Sequence, residues 1–305
     1  MRNPNESGKY CADAQVKKKS AGRNAYALVI KIELVLLAIL AVIVGGMIIM
    51  VIQAQDAEAD FKELAAYVQT DEPISTNESR WILEKTELID GTEISENADL
   101  TQTQYLQTTA QTMPREILSQ YQSVYEKNPE LFGWIQIDNT RIDYPVMHTP
   151  DDPEKYLHMN FDGEYSFAGV PFVDAKCSAD SDNLLIYGHN MTDGSMFRGI
   201  MKYQQKDFWQ RNPVIRFNTL YEEQEFEVLA AFYDRVYYKT ETCFKFYQFI
   251  DAADEADFDN AITQFKSKAL YDTGVDAVYG DQLITLITCT DYTDNGRFVV
   301  VAKCK

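Results

Sequence analysis

The hydrophobic positions change their spacing along the chain, and each change marks a different kind of structure. Leu34 to Ile52 is an uninterrupted apolar run without a charge. At about 1.5 Å per residue a helix of that length crosses a bilayer core of ~30 Å. The apolar character reaches back through Ala25 to Ile30, so a membrane helix is expected over 26–52. Phe61, Leu64, Ala65 and Val68 then recur at helical spacing, which continues a helix beyond the membrane. From Thr70 to Thr112 Thr, Gln, Glu and Asn dominate, broken only by Trp81-Ile82-Leu83. Residues 53–112 read as a stalk whose job is reach.

From Pro114 the texture becomes that of a folded domain, expected over 113–305. Pro114-Arg115-Glu116 opens a helix to about Lys127, with Ile117, Leu118, Tyr121, Val124 and Tyr125 on its buried side. Asn128-Pro129 stops it. Short β-branched and aromatic runs follow, separated by turn residues: Trp134–Ile137, Ile142–Val146, Val170–Val173, Leu184–Tyr187, Val214–Phe217, Phe226–Val236, Leu283–Thr288 and Phe298–Ala302. One longer helix is expected at Asp254–Leu270. Its acids (Asp254, Glu255, Asp257, Asp259) fall in the first turns, where they favour the helix dipole. They lack the spacing of a calcium loop, and no metal site is expected.

Charge sharpens the division. The formal net charge is −19, which excludes a nucleic-acid-binding surface. Residues 1–33 nevertheless hold seven Lys/Arg against three acids. The rest is strongly acidic, which reads as a soluble acidic surface. A basic, disordered tail (1–25) ahead of an apolar span places the N-terminus in the cytoplasm and the bulk of the chain outside. No small-residue cleavage site follows the span, so an uncleaved single-pass anchor is expected.

The candidate chemistry sits at strand ends. Cys289 closes the run that starts at Leu283. A turn containing Asp294-Asn295-Gly296 follows, and Arg297 opens the last run. If the two strands pair, thiol and guanidinium reach one small volume. Only a thiolate is a nucleophile. A nearby cation favours it and can hold a developing oxyanion. The chain has three histidines. His189 ends the run Leu184–Tyr187 as Cys289 ends its own, which makes it the best proton carrier. His148, in a turn, and His158 read as packing or surface residues. Of five cysteines, Cys11 precedes the membrane span. A pairing among Cys177, Cys243 and Cys304 is compatible with the sequence, but three free, buried thiols are expected.

These residues carry a resemblance. Thr285-Leu286-Ile287-Thr288-Cys289 matches the TLxTC signature of sortases, and Tyr187-Gly188-His189-Asn190 and Arg297 match their other two catalytic positions. From about Gln120 onward the chain resembles a class B sortase. The likeness includes Phe132-Gly133-Trp134-Ile135-Gln136-Ile137, Ile142-Asp143-Tyr144-Pro145-Val146, and Tyr156-Leu157 followed by Phe161. It implies a mainly β fold: a closed barrel of about eight strands, with an N-terminal helix and a helix inserted before the cysteine strand. Asp254–Leu270 fits that insertion. It implies a cysteine transpeptidase without a cofactor. Cys289 attacks a Thr-Gly or Thr-Asn bond in the C-terminal sorting motif of a secreted protein. Arg297 and a backbone N–H hold the oxyanion, and His189 protonates the leaving amine. An amine of a peptidoglycan precursor then takes the acyl group. By analogy Thr288, Ile287 and Asn190 are substrate-side positions, and Asp291 is a further residue that could orient groups nearby. Ile287 stands where several relatives carry Ser, and the loop from Cys289 to Arg297 is short and acidic.

Other readings are open. A pilus-polymerising sortase would use a pilin lysine as the amine. Such enzymes often carry a lid, and no Asp-Pro-aromatic segment precedes Pro114. Papain-like hydrolases place cysteine before histidine, the reverse of the order here, and the surroundings of Cys289 are not those of a caspase. A non-catalytic, membrane-tethered binding domain is the reading from another class. Its mark would be a Cys289 that thiol reagents do not inactivate.

Overall fold

Eight strands form where the apolar, β-branched runs lie, and they close on one another. The computed structural model describes residues 31–49, 59, 61–66, 68 and 115–305. The expected basic tail and the stalk around Trp81 lie outside those residues. The chain divides into two units, 1–56 and 57–305. In the first, Lys31–Ile49 is a helix long and apolar enough to cross a membrane.

In the second unit the strands are β1 (Leu131–Gln136), β2 (Asp143–Met147), β3 (Phe172–Val173), β4 (Asn183–Tyr187), β5 (Val214–Thr219), β6 (Glu225–Arg235), β7 (Leu283–Cys289) and β8 (Gly296–Cys304). They close in the order β1-β2-β3-β4-β7-β8-β6-β5, with β5 pairing back onto β1. Six of the ladders are antiparallel, and β2–β3 and β4–β7 are parallel. The barrel is therefore mainly antiparallel, as expected. β5 alternates between partly and fully buried positions, as a strand with one face on the core does. β7 does not alternate: all six residues before Cys289 are buried, because both its faces are covered. Cys289 is the first exposed residue after that run.

The helices differ from expectation at their ends, for physical reasons. The first forms at Ser119–Lys127 rather than from Pro114, because the Leu118 N–H is already given to the Leu220 carbonyl at 2.8 Å. The inserted helix runs Glu255–Lys268. Asp254 lies outside it and caps it, accepting from the Asp257 N–H at 2.9 Å. At its other end the Leu270 N–H bonds the Ala231 carbonyl and draws the chain onto β6. β3 is shorter than expected, and it begins only after Pro171, which has no N–H to give a ladder. A 3-10 helix at Phe197–Gln204 and a short helix at Lys206–Arg211 follow the β4 loop. Neither was expected from periodicity.

The apolar residues at helical spacing beyond the membrane span are not idle. Phe61, Leu64 and Ala65 are buried in the same apolar core as the barrel strands. The Phe61 ring meets Tyr144 of β2 edge to face, with centroids 5.2 Å apart. The sequence reading starts the catalytic domain at 113, whereas the compact unit starts at Ala57. Phe61→Ala is therefore expected to destabilise the barrel by about 3 kcal/mol, the usual cost of emptying a buried phenylalanine site. Urea unfolding of full-length protein in detergent checks this. An unchanged midpoint would show that the segment is not part of the fold.

Candidate active site

The site is built by strand register. β4 and β7 run parallel with Tyr187 beside Ile287. Carrying that register on by two residues brings His189 level with Cys289. Two bonds hold it beyond the ladder. The Gly188 N–H donates to the Ile287 carbonyl at 3.1 Å, and the Thr288 hydroxyl donates to the Gly188 carbonyl at 2.7 Å. On its other side β7 pairs antiparallel with β8, and Cys289 faces Arg297 directly. Residues directly opposite in such a ladder project to the same side. Thiol, imidazole and guanidinium thus come from three adjacent strand ends at one level.

Local geometry places each group. Gly188 lies against Phe197, and a Cβ there would stand 2.5 Å from the ring, so only glycine lets the loop turn into His189. Asn295 takes a left-handed conformation at φ 55°, as the Asp-Asn-Gly turn requires. Gly296 then passes so close to the Thr290 and Thr293 carbonyls that a Cβ would meet them at 2.6 and 2.7 Å. This tight turn delivers Arg297 to the start of β8. Its Nη1 donates to the Asn295 and Gly296 carbonyls at 3.2 and 2.9 Å.

His189 is half-buried. Its Nε2 lies 2.9 Å from the Leu157 carbonyl. A carbonyl only accepts, so Nε2 carries the hydrogen and Nδ1 is the nitrogen left to exchange protons. The His158 ring stacks on His189 with centroids 5.7 Å apart, and Tyr165 also stacks with His158 at 6.3 Å. The sequence reading treats His158 as a packing or surface residue. It is exposed, but it packs against the imidazole of the site. His148 lies elsewhere, with its ring edge-on to Phe132, and burial pushes its pKa down.

Two concavities share the wall formed by Cys289 and Arg297. One, of about 190 Å³, is apolar: Ile287 and Thr288 line it together with Leu157, Phe172, Val236 and Phe246. The other, of about 430 Å³, is polar and lies within the β7–β8 loop beside Asp291 and Asp294. Of the three expected substrate-side positions, Ile287 and Thr288 line the apolar cleft, and the Thr288 hydroxyl is already committed to Gly188. Asn190 is committed as well. Its Nδ2 donates to the Cys289 carbonyl at 2.8 Å, and its Oδ1 accepts from Arg198 at 3.0 Å. It braces the backbone of the cysteine. Asp291 is exposed in the loop, bordering the polar cavity.

Among the described residues, the cysteines outside the site are free. Burial pushes the Cys177 thiol up to about 12. Cys243 is exposed and Cys304 half-buried, so the expectation of three buried thiols holds for Cys177 alone. Cys243 sits on the exposed loop after β6, where no strand pattern shields it.

Sequence reasoning missed Leu157, His158 and the β6-side wall. The Leu157 carbonyl is placed by a 3-10 turn, Lys155–Leu157, that leaves no periodic signal.

Comparison with known proteins identifies the family. Residues 135–305 match the sortase domain family model. Over 192 residues the chain is 32% identical to sortase B of Listeria monocytogenes, covering 62% of this chain and 75% of the relative. The structure of a Staphylococcus aureus sortase B–substrate complex superposes with a TM-score of 0.56 at 25% identity, covering 67% of this chain and 92% of that one. Clostridium perfringens sortase B superposes with a TM-score of 0.52 at 30% identity, covering 60% and 98%. An eight-stranded barrel with a cysteine at the end of one central strand and an arginine opening the next is the framework of a cysteine transpeptidase, and the chain belongs to the sortase family. Within that family it is of class B.

Proposed function

We propose that Cys289, His189 and Arg297 cleave a Thr-Gly or Thr-Asn bond in the C-terminal sorting motif of secreted proteins and pass the acyl group to an amine of a peptidoglycan precursor. The observation that carries this reading is the common level of the three groups on β4, β7 and β8.

The Cys289 thiolate attacks the threonine carbonyl carbon, and the C–O π electrons move onto oxygen. Arg297 stabilises that oxyanion. The C–N bond then breaks as His189, protonated at Nδ1, gives its proton to the departing amine. A thioester remains. The incoming amine attacks it and loses a proton to His189, a new amide forms, and the Cys289 thiolate leaves. The Leu157 carbonyl, holding Nε2–H, keeps the same nitrogen facing the reaction in both halves. Thr288 and Asn190 act here by fixing the two strand ends, and Ile287 offers the substrate an apolar wall. Lys31–Ile49 anchors the enzyme by a single pass, with the N-terminus in the cytoplasm and the barrel outside, where secreted substrates and wall precursors meet.

The test uses full-length protein in detergent with quenched fluorogenic peptides spanning Thr-Gly and Thr-Asn motifs, with and without added triglycine or an Nα-blocked lysine. Cleavage of one motif class with a ligated product in the presence of triglycine is expected. Ligation only to the lysine side chain would instead indicate a pilus-type acceptor. No cleavage of any peptide, together with a Cys289 that iodoacetamide does not modify near neutral pH, would overturn the enzymatic roles.

A further inference from the structure

The row of chemistry does not stop at Arg297. On the other side of β8, Asp234 of β6 lies directly opposite Arg297 in the antiparallel ladder. Cys289, Arg297 and Asp234 thus form one line across three strands and project to the same side. Directly opposed side chains begin about 5 Å apart, well within an arginine's reach of a carboxylate. In a partly buried setting that pair would be the natural one. It is not made. The contacts of the Arg297 guanidinium are with two backbone carbonyls, and none of the ion pairs among the described residues includes it.

Asp234 is held elsewhere. Its side chain is 4% exposed and lies 2.6 Å from Lys268 Nζ, which ends the inserted helix. Its other oxygen accepts from the Tyr237 hydroxyl at 2.6 Å and the Arg235 N–H at 2.9 Å. The Arg235 guanidinium is bound to Glu241, so Lys268 is the cation that answers the carboxylate. Burial opposes the charge on Lys268, yet Asp234 outweighs it and raises its pKa above the ordinary lysine value. Lys268 thus holds its charge beside Asp234.

We propose that Lys268 is a positioning residue: by occupying Asp234 it keeps that carboxylate from capturing Arg297, and so leaves the guanidinium available at Cys289. The inserted helix thereby carries a counter-charge into the strand row as well as covering the barrel. The idea rests on the role given to Arg297 above. A simpler alternative is that the ion pair only fastens the helix to β6.

The two are separated by full-length Lys268→Met, Asp234→Asn and the double variant. Each is measured for thermal midpoint, for kcat and KM on a cleaved fluorogenic peptide, and for the rate of iodoacetamide modification at Cys289 read by mass spectrometry. In K268M the freed carboxylate takes Arg297. Turnover per folded enzyme is expected to fall at least about tenfold, mostly in kcat, since oxyanion donors act in the transition state. Modification of Cys289 is expected to slow as its neighbouring cation moves away. D234N/K268M removes the competing acid, and turnover is expected to return to within about threefold of the starting enzyme. Should K268M not fold, Lys268→Gln keeps a donor to Asp234 while removing the charge, with the same loss and the same rescue expected. A folded K268M or K268Q with unchanged kcat and unchanged Cys289 reactivity overturns the proposal, as does a loss that D234N does not restore. Failure of the functional reading looks different: no peptide is turned over by the unmodified enzyme, while the effect on Cys289 modification still stands.

Discussion

Cys289→Ala is expected to lower peptide cleavage by roughly 10⁴-fold or more, with no ligated product, because a covalent mechanism has no bypass for its nucleophile. The fold should not notice. Cys289 is exposed at the end of a strand whose preceding six residues are buried, so its side chain fills no core volume, and a stability change within about 0.5 kcal/mol is expected. Product analysis by mass spectrometry and a thermal scan on the same preparation check both halves. The other thiols make the result specific. Cys177 is buried with its pKa pushed up to about 12, so a reagent near neutral pH does not find it as thiolate. Cys243 is exposed, and a C289A enzyme that kept its cleavage would point there instead.

His189→Ala is expected to cost about 10³-fold in kcat, within the usual range for a positioned acid–base group. The proposed mechanism uses it in both half-reactions, so acylation and transfer to the amine should slow together. A single-turnover burst followed by amine addition separates the two. Loss of one half alone would mean that another group handles the second proton, and His158, stacked on the His189 ring at 5.7 Å, is the neighbour to suspect. The geometry also assigns the working nitrogen. Because the Leu157 carbonyl takes the Nε2–H, the proposed mechanism passes the proton at Nδ1 without the imidazole turning.

The strands of this barrel were legible because they are short apolar runs bounded by turn residues. The same rule placed Cys289, His189 and Arg297 at strand ends, where a buried run gives way to polar chain. What the residues alone did not reveal was that the three ends stand at one level. That follows from the β4–β7 register, which joins residues one hundred positions apart. Non-local pairing also explains the other gaps. His158 reaches the site through a 3-10 turn too short to show a period. Lys268 and Asp234 meet because the last turn of a helix returns to a strand ended more than thirty residues earlier. Phe61 and Tyr144 are separated by a long polar stretch, so helical spacing showed an apolar face without showing what it covers. Asn190 follows His189 in the motif, but its bond to the Cys289 carbonyl again joins strand ends far apart in the chain.

The strand order has a consequence for how the molecule comes into being. β8 is inserted between β7 and β6, and β7 must find β4 across the whole intervening chain. The two ladders of β8 form only when the last strand of the chain is present. Distant pairings of this kind slow folding, typically into the millisecond-to-second range. Cys289 gains Arg297 as its cross-strand neighbour only when that last strand docks. Assembly thus completes the site last, at the strand that carries Arg297.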